Sequence, residues 1–270
     1  MRNIFLATLF TAFTLSLNAQ TVTEVLEQFY LSSGGKEKLK SINTFQYDQL
    51  VNLSLPNGMT FDIPITMIKE NNKFFRMQIS SQFGDVFTIV TQNQGYQYLP
   101  ANPFSGGEAQ LISMKKEEYE ALAFQMDSEG MFAMLVDYET KGIKVSLEGT
   151  EKINKEDCYK LKLSLKNSQE LFYYISKNTM LISRMQAKGN IAQTISGLGA
   201  AMSGFGGGGG RNKKGEASFE MNMDYSGYKD FGGFRMPTKM VIKAQMGDVP
   251  CVLSNYNINK PIESKWYKAQ

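Results

Sequence analysis

The sequence predicts a mainly β protein of the α+β class: a curved antiparallel sheet, or incomplete β-barrel, of about eleven strands with helices covering its concave face. Three observations lead there. Apolar and polar residues alternate with period two through most of the chain. The stretch from Lys73 to Pro100, KFFRMQISSQFGDVFTIVTQNQGYQYLP, reads as three successive strands with little between them. Two short helical patterns follow the fifth strand, where they need a surface to cover. Helices over an open concave face leave an apolar cavity beneath them. A fully packed core fits the same periodicity, and both readings stand at this level.

Composition narrows the class of function. With 270 residues, 42% of them apolar and 20% charged, the chain can bury a substantial core as a single domain over residues 20–270. A formal charge of +3, one unit of which belongs to Arg2, gives no long-range attraction to nucleic acid. Histidine is absent, which removes the usual means of building hydrolytic triads, catalytic zinc sites and imidazole bases. No catalytic residue, metal site or cofactor is expected, and the chain is read as a non-enzyme. The acidic pair Glu117 and Glu118 points in two directions on a helix and reads as a solvated first turn rather than a carboxylate dyad. Sixteen methionines beside eighteen phenylalanines suit either a methionine-rich core or a wall that adapts to varied apolar ligands.

Taken in order, the chain opens with MRNIFLATLFTAFTLSLNAQ. Arg2 precedes an apolar run from Ile4 to Leu17, and Ala19 offers a cleavage point, the pattern of a secretory signal peptide over residues 1–19. The mature chain is therefore expected to begin at Gln20 and to be exported, soluble and periplasmic. No cysteine follows the cleavage point closely, so no lipid anchor is predicted. Val22, Val25, Leu26 and Phe29 then fall at helical spacing, and Gly34-Gly35 stops that helix before a second short piece from Lys36 to Ile42.

From Phe45 the period changes to two. Phe45, Tyr47, Val51, Leu53 and Leu55 alternate, Pro56-Asn57-Gly58 turns, and Met59, Phe61, Ile63, Ile65 and Met67 answer on the return strand. In the next meander Phe75, Met77 and Ile79 alternate with Phe74, Arg76 and Gln78. That predicts one apolar face and one wet face, with Arg76 in water. Tyr119, Leu122 and Met126 share a helical face within Lys115 to Asp127, and Ser128 is placed to cap a second helix carrying Met131, Met134 and Leu135.

Strands resume from Ile143 to Lys152 and from Cys158 to Lys166 across a turn at Asn154-Lys155. A hairpin of Leu171 to Ser176 and Met180 to Ala187 follows, then strands from Ala217 to Tyr225, Arg235 to Met246 and Val249 to Ile258. Cys158 and Cys251 both sit in strand-like runs, and spacing alone leaves open whether they pair. The insertion at residues 189–215 breaks the regularity, placing Ile191, Ile195, Leu198, Met202 and Phe205 on one helical stripe before five consecutive glycines. It reads either as a disordered insertion or as a tethered apolar lid.

The signal peptide, the helix ending in Gly-Gly, the run Asn72-Lys73-Phe74-Phe75-Arg76, the segment Gly95-Tyr96-Gln97-Tyr98-Leu99-Pro100 and the hairpin containing Tyr173-Tyr174-Ile175 and Lys177-Asn178-Thr179 together resemble the periplasmic outer-membrane lipoprotein-sorting carriers, the LolA/LolB-like family. The resemblance covers most of the chain after residue 19. It implies an incomplete antiparallel barrel closed by helices, with a hydrophobic cavity that holds acyl chains during transfer to the outer membrane. This chain departs from the plain carriers in its glycine-rich insertion.

The expected function is a carrier of an apolar ligand, either lipoprotein acyl chains or another lipid, with a membrane-associated donor or acceptor protein as a further partner. Candidate wall residues are Phe61, Ile63, Ile65, Phe75, Met77, Ile79, Leu161 and Leu163 from the sheet, and Leu122, Met126, Met131 and Met134 from the helices. The alternative is an envelope sensor or adaptor that binds a protein segment on the same sheet.

Overall fold

The structure, a computed structural model, describes residues 20–268 except 56, 82–83, 102–106, 166–168, 189–219 and 245–246. The signal peptide expected at residues 1–19 and the stripe Ile191, Ile195, Leu198, Met202 and Phe205 lie outside the described residues. Helix α1, Val22–Ser33, starts in a capping box in which Thr21 and Glu24 satisfy each other's backbone amides. It ends at Gly34, whose φ of 122° suits glycine, and a Cβ there would lie 2.3 Å from the carbonyl oxygen of Gly233. A short helix, α2 (Lys36–Lys40), follows.

Strands β1, Thr44–Ser54, and β2, Thr60–Glu70, form the predicted hairpin, with Tyr47 opposite Met67, Val51 opposite Ile63 and Leu53 opposite Phe61. Pro64 has no N–H to donate, and the ladder from β2 to β3 ends one residue away, at Ile65 opposite Ile79. β3 (Phe74–Ser81), β4 (Gly84–Thr91) and β5 (Gly95–Leu99) continue the meander, and β6 (Gln110–Ser113) adds an exposed edge. The chain then makes a short helix α3, Lys116–Ala121, and two 3-10 turns, Ala123–Met126 and Ala133–Leu135.

The second meander begins with β7, Lys144–Ile153, and β8, Glu156–Ser164. They are joined by Asn154 and Lys155 at φ 49° and 72°, the left-handed pair of a tight two-residue hairpin turn. β9 (Glu170–Ser176), β10 (Ile182–Lys188) and β11 (Glu220–Ser226) follow. A two-stranded ribbon, β12 (Lys229–Asp230) with β13 (Arg235–Met236), precedes β14 (Lys239–Ala244) and the long β15 (Gly247–Ile258).

Thirteen strands make one antiparallel sheet in the order β6-β5-β4-β3-β2-β1-β15-β14-β11-β10-β9-β8-β7. Two meanders are thus joined where β1 pairs with β15, Phe45 opposite Ile258 and Val51 opposite Cys251. The sheet is curved and does not close, since β6 and β7 remain its two ends. The mainly β expectation holds, with thirteen strands in the sheet against about eleven expected. β6, Gln110–Ser113, is not among the expected strands, and the run Arg235 to Met246 breaks at Pro237 into β13 of the ribbon and β14 of the sheet. One face carries the main apolar core, over which α1 and the two 3-10 turns pack.

Three expectations are corrected. The outer face of β3 and β4 is not wet: Phe74, Phe87 and Ile89 are buried there, with Ile68 of β2, beneath Ile262 and Trp266 of the C-terminal segment. Arg76 is accordingly 5% exposed, because that segment folds back over it. It donates to Gln78 Oε1 at 2.7 Å and to the carbonyls of Trp266 and Lys268 at 3.0 and 2.7 Å, with its guanidinium 4.0 Å from the Phe87 ring centre. Ser128 caps no helix, because none starts there: the next helical turn is Ala133–Leu135, and the Ser128 hydroxyl donates to the carbonyl of Ile42 at 2.7 Å. The two cysteines are free: Cys251 belongs to the main core, while Cys158 packs with Ile153 and Tyr174 in a separate cluster on the outer face.

Candidate functional site

The middle of the concave face is built by alternation. On β1 the inward positions are Phe45, Tyr47, Gln49, Val51 and Leu53; on β2 they include Ile63, Ile65, Met67 and Lys69. β15, β14, β11, β10 and β9 add Leu253, Met240, Met223 with Tyr225, Met185 and Tyr173. Above them runs the segment 122–136, which contributes Phe124, Gln125, Met131, Ala133 and Met134. Between cover and sheet lies a cavity of about 50 Å³. Six of its walls are methionines, Met67, Met131, Met134, Met185, Met223 and Met240, whose unbranched, polarizable side chains repack more readily than branched ones.

The cover is held by tethers rather than by a ladder of its own. Tyr30 donates its hydroxyl to the carbonyl of Leu135 at 2.5 Å, and Lys141 Nζ donates to that of Ala133 at 2.9 Å. Lys141 also bridges Asp127 and Glu129 at 3.3 and 3.0 Å. Beside the cover an open cleft of about 680 Å³ is lined by Gln92, Glu120, Met126, Ile143 and Leu165, among others. Phe124 lines both the cleft and the cavity, so the 3-10 turn Ala123–Met126 is the partition between them.

Lys69 and Gln125 face this space, beside Gln49 and three tyrosines. Lys69 is buried, and desolvation lowers its pKa from 10.5 to about 8, opposed by Asp127 and Glu129 and aided by Lys141. Its Nζ donates to the carbonyl oxygen of Asp127 at 3.3 Å. Gln125 is 5% exposed, and its Nε2 is buried with no hydrogen-bond partner among the described residues. Burial also raises the pKa values of the Tyr47, Tyr173 and Tyr225 phenols, which stay neutral donors.

Every candidate wall residue lies in the main core or packs against it. Ile63, Ile65, Phe75, Met77 and Ile79 are buried along β2 and β3, Leu161 and Leu163 on β8, and Met126 in the cover; Phe61 and Leu122 are half-buried at the margin. Only Met131 and Met134 of the twelve line the cavity itself. Sequence reasoning did not single out Tyr47, Gln49, Lys69, Tyr173, Met185, Met223 and Met240. The available signal was polarity out of place: Gln49 and Lys69 continue apolar alternations on β1 and β2, where the period points them inward.

No protein-family model matches the sequence, and no curated protein matches it. Solved structures do. A LolA superfamily protein from Nitrosomonas europaea superposes with a TM-score of 0.56 at 12% identity, over 93% of this chain and 99% of that one. The chain has a LolA-like fold. A DUF1329 family protein from Desulfovibrio piger matches with a TM-score of 0.54 at 12% identity, covering 93% and 98% of the two chains. In the LolA-like frame the cavity lies between the concave face of the open sheet and its covering segment. Among the described residues no helix is long and apolar enough to cross a membrane, and no cluster of three or more His, Cys, Asp or Glu residues is placed to hold a metal ion.

Proposed function

We propose that the protein is a non-catalytic carrier of the cell envelope that takes an apolar ligand, lipoprotein acyl chains or another lipid, between the concave sheet and its cover. The observation that carries this reading is the convergence of six methionines from four strands and the cover on one interior space. At about 50 Å³ that space admits only a few water-sized groups, so an acyl chain enters only if the cover moves. Opening needs the 3-10 turn at Ala123–Met126 to swing out, which joins the cavity to a cleft whose volume is already typical of ligand pockets. Each methylene then buried contributes about 0.8 kcal/mol. The LolA-like fold and the sequence resemblance to lipoprotein-sorting carriers support the same reading.

Native mass spectrometry of the protein purified from its own cell envelope, followed by extraction and identification of bound molecules, tests it. A stoichiometric lipid or acylated peptide is expected. Met223→Asp, which puts a charge into the methionine wall, should abolish uptake of a fluorescent long-chain lipid probe while the variant stays folded by circular dichroism. An apo mass together with no uptake by the wild type would remove the carrier reading.

A further inference from the structure

Two donors at the cavity have hydrogen-bonding capacity to spare. Lys69 carries three N–H bonds, one of which goes to the Asp127 carbonyl, and Gln125 Nε2 has no partner among the described residues. Both residues are more than nine-tenths buried, and an unsatisfied donor in that setting is costly. The nearby carboxylates of Asp127 and Glu129 are engaged by Lys141 at 3.3 and 3.0 Å, which leaves the Lys69 ammonium facing the cavity with a backbone carbonyl as its hydrogen-bond partner. An apolar chamber with two under-used donors at one corner can receive a chain with an acceptor at its end. An anionic acceptor compensates a desolvated ammonium more fully than a neutral carbonyl does.

We propose that this corner is a head-group subsite for the carboxylate of a long-chain fatty acid, with Lys69 Nζ and Gln125 Nε2 donating to its oxygens and the methionine wall taking the chain. The inference rests on the carrier reading and sharpens it, because it names which end of the ligand is recognised and where. Gln125 belongs to the partition at Ala123–Met126 itself, so the acid enters chain first and the partition completes the subsite as it closes over the head.

The test compares a fluorescent long-chain fatty acid with its methyl ester, titrated separately into the wild-type protein, Lys69→Met and Gln125→Leu. The wild type should bind the acid about tenfold or more tightly than the ester, the amount expected of a charge-assisted hydrogen bond. Lys69→Met should abolish the preference, so that acid and ester bind the variant equally, and Gln125→Leu should reduce the preference several-fold. Equal binding of acid and ester by the wild type overturns the proposal without any variant, as does a preference that survives in Lys69→Met. Binding of the ester alone keeps the carrier and rejects the subsite; binding of neither removes both.

Discussion

Lys69 is a charged residue placed where the strand alternation calls for an apolar one, and the fold bears the consequence. In the unfolded chain its ammonium titrates near 10.5; in the native protein burial brings this to about 8. Between those values the unfolded state binds more protons than the native state, so stability rises with pH across the window and the cost is fully present below pH 8. At about 1.4 kcal/mol per unit the whole effect is on the order of 3 kcal/mol. Lys69→Met should therefore raise the urea midpoint at pH 7, and the gap between variant and wild type should shrink from pH 8 to pH 10.5. Taking the difference cancels the tyrosines, which titrate in the same range. A gap independent of pH would show that Lys69 keeps its ordinary pKa. Giving up stability to hold a desolvated cation fits the proposed head-group subsite. Position 69 was legible as an inward-facing residue, but its partners come from 127, 129 and 141, and no local pattern announces those.

Among the elements, the C-terminal segment departs most from what its own sequence suggests. Residues 261–268 carry no strand or long-helix pattern, yet Ile262 and Trp266 convert the outer face of β3 and β4 into a second core, with Arg76 as its polar centre. The alternation Phe74-Arg76-Gln78 was read correctly as one face of a strand. What lay on it was not, because the covering residues are about 190 positions away. Arg76→Ala removes the donor to two carbonyls of the segment and the partner of buried Gln78, a loss of about 2 kcal/mol. Trp266 is the only tryptophan in the chain, so its emission reports the event directly. It should move to longer wavelength in folded Arg76→Ala. An unchanged spectrum would mean that apolar packing alone holds the segment.

At the scale of the whole molecule, stability and access are divided between two kinds of structure. The sheet is a continuous ladder, whereas the cover at 122–136 has two 3-10 turns and depends on side chains from elsewhere. Amide hydrogen exchange should thus be faster at 122–136 than in β8 and β9. Tyr30→Phe leaves the Leu135 carbonyl without its donor and should speed exchange in the cover further, with little change in the sheet. Uniform protection across cover and sheet would rule out the cover as the moving part.

Period two along the chain, the turn residues and the Gly-Gly stop determined the strand pairs, the first helix and the mainly β class, because those are set by interactions between near neighbours. The hairpin register of β1 and β2 and the left-handed turn at Asn154-Lys155 follow from local chemistry alone. Tertiary structure decided the rest. It paired β1 with β15 across about 200 residues and left the sheet open at β6 and β7. It also brought methionines from distant strands to one wall and left Lys69 and Gln125 with donors to spare. The physical reason is the same in each case: alternation says which face a side chain takes, but what meets it there comes from parts of the chain that only the fold brings near.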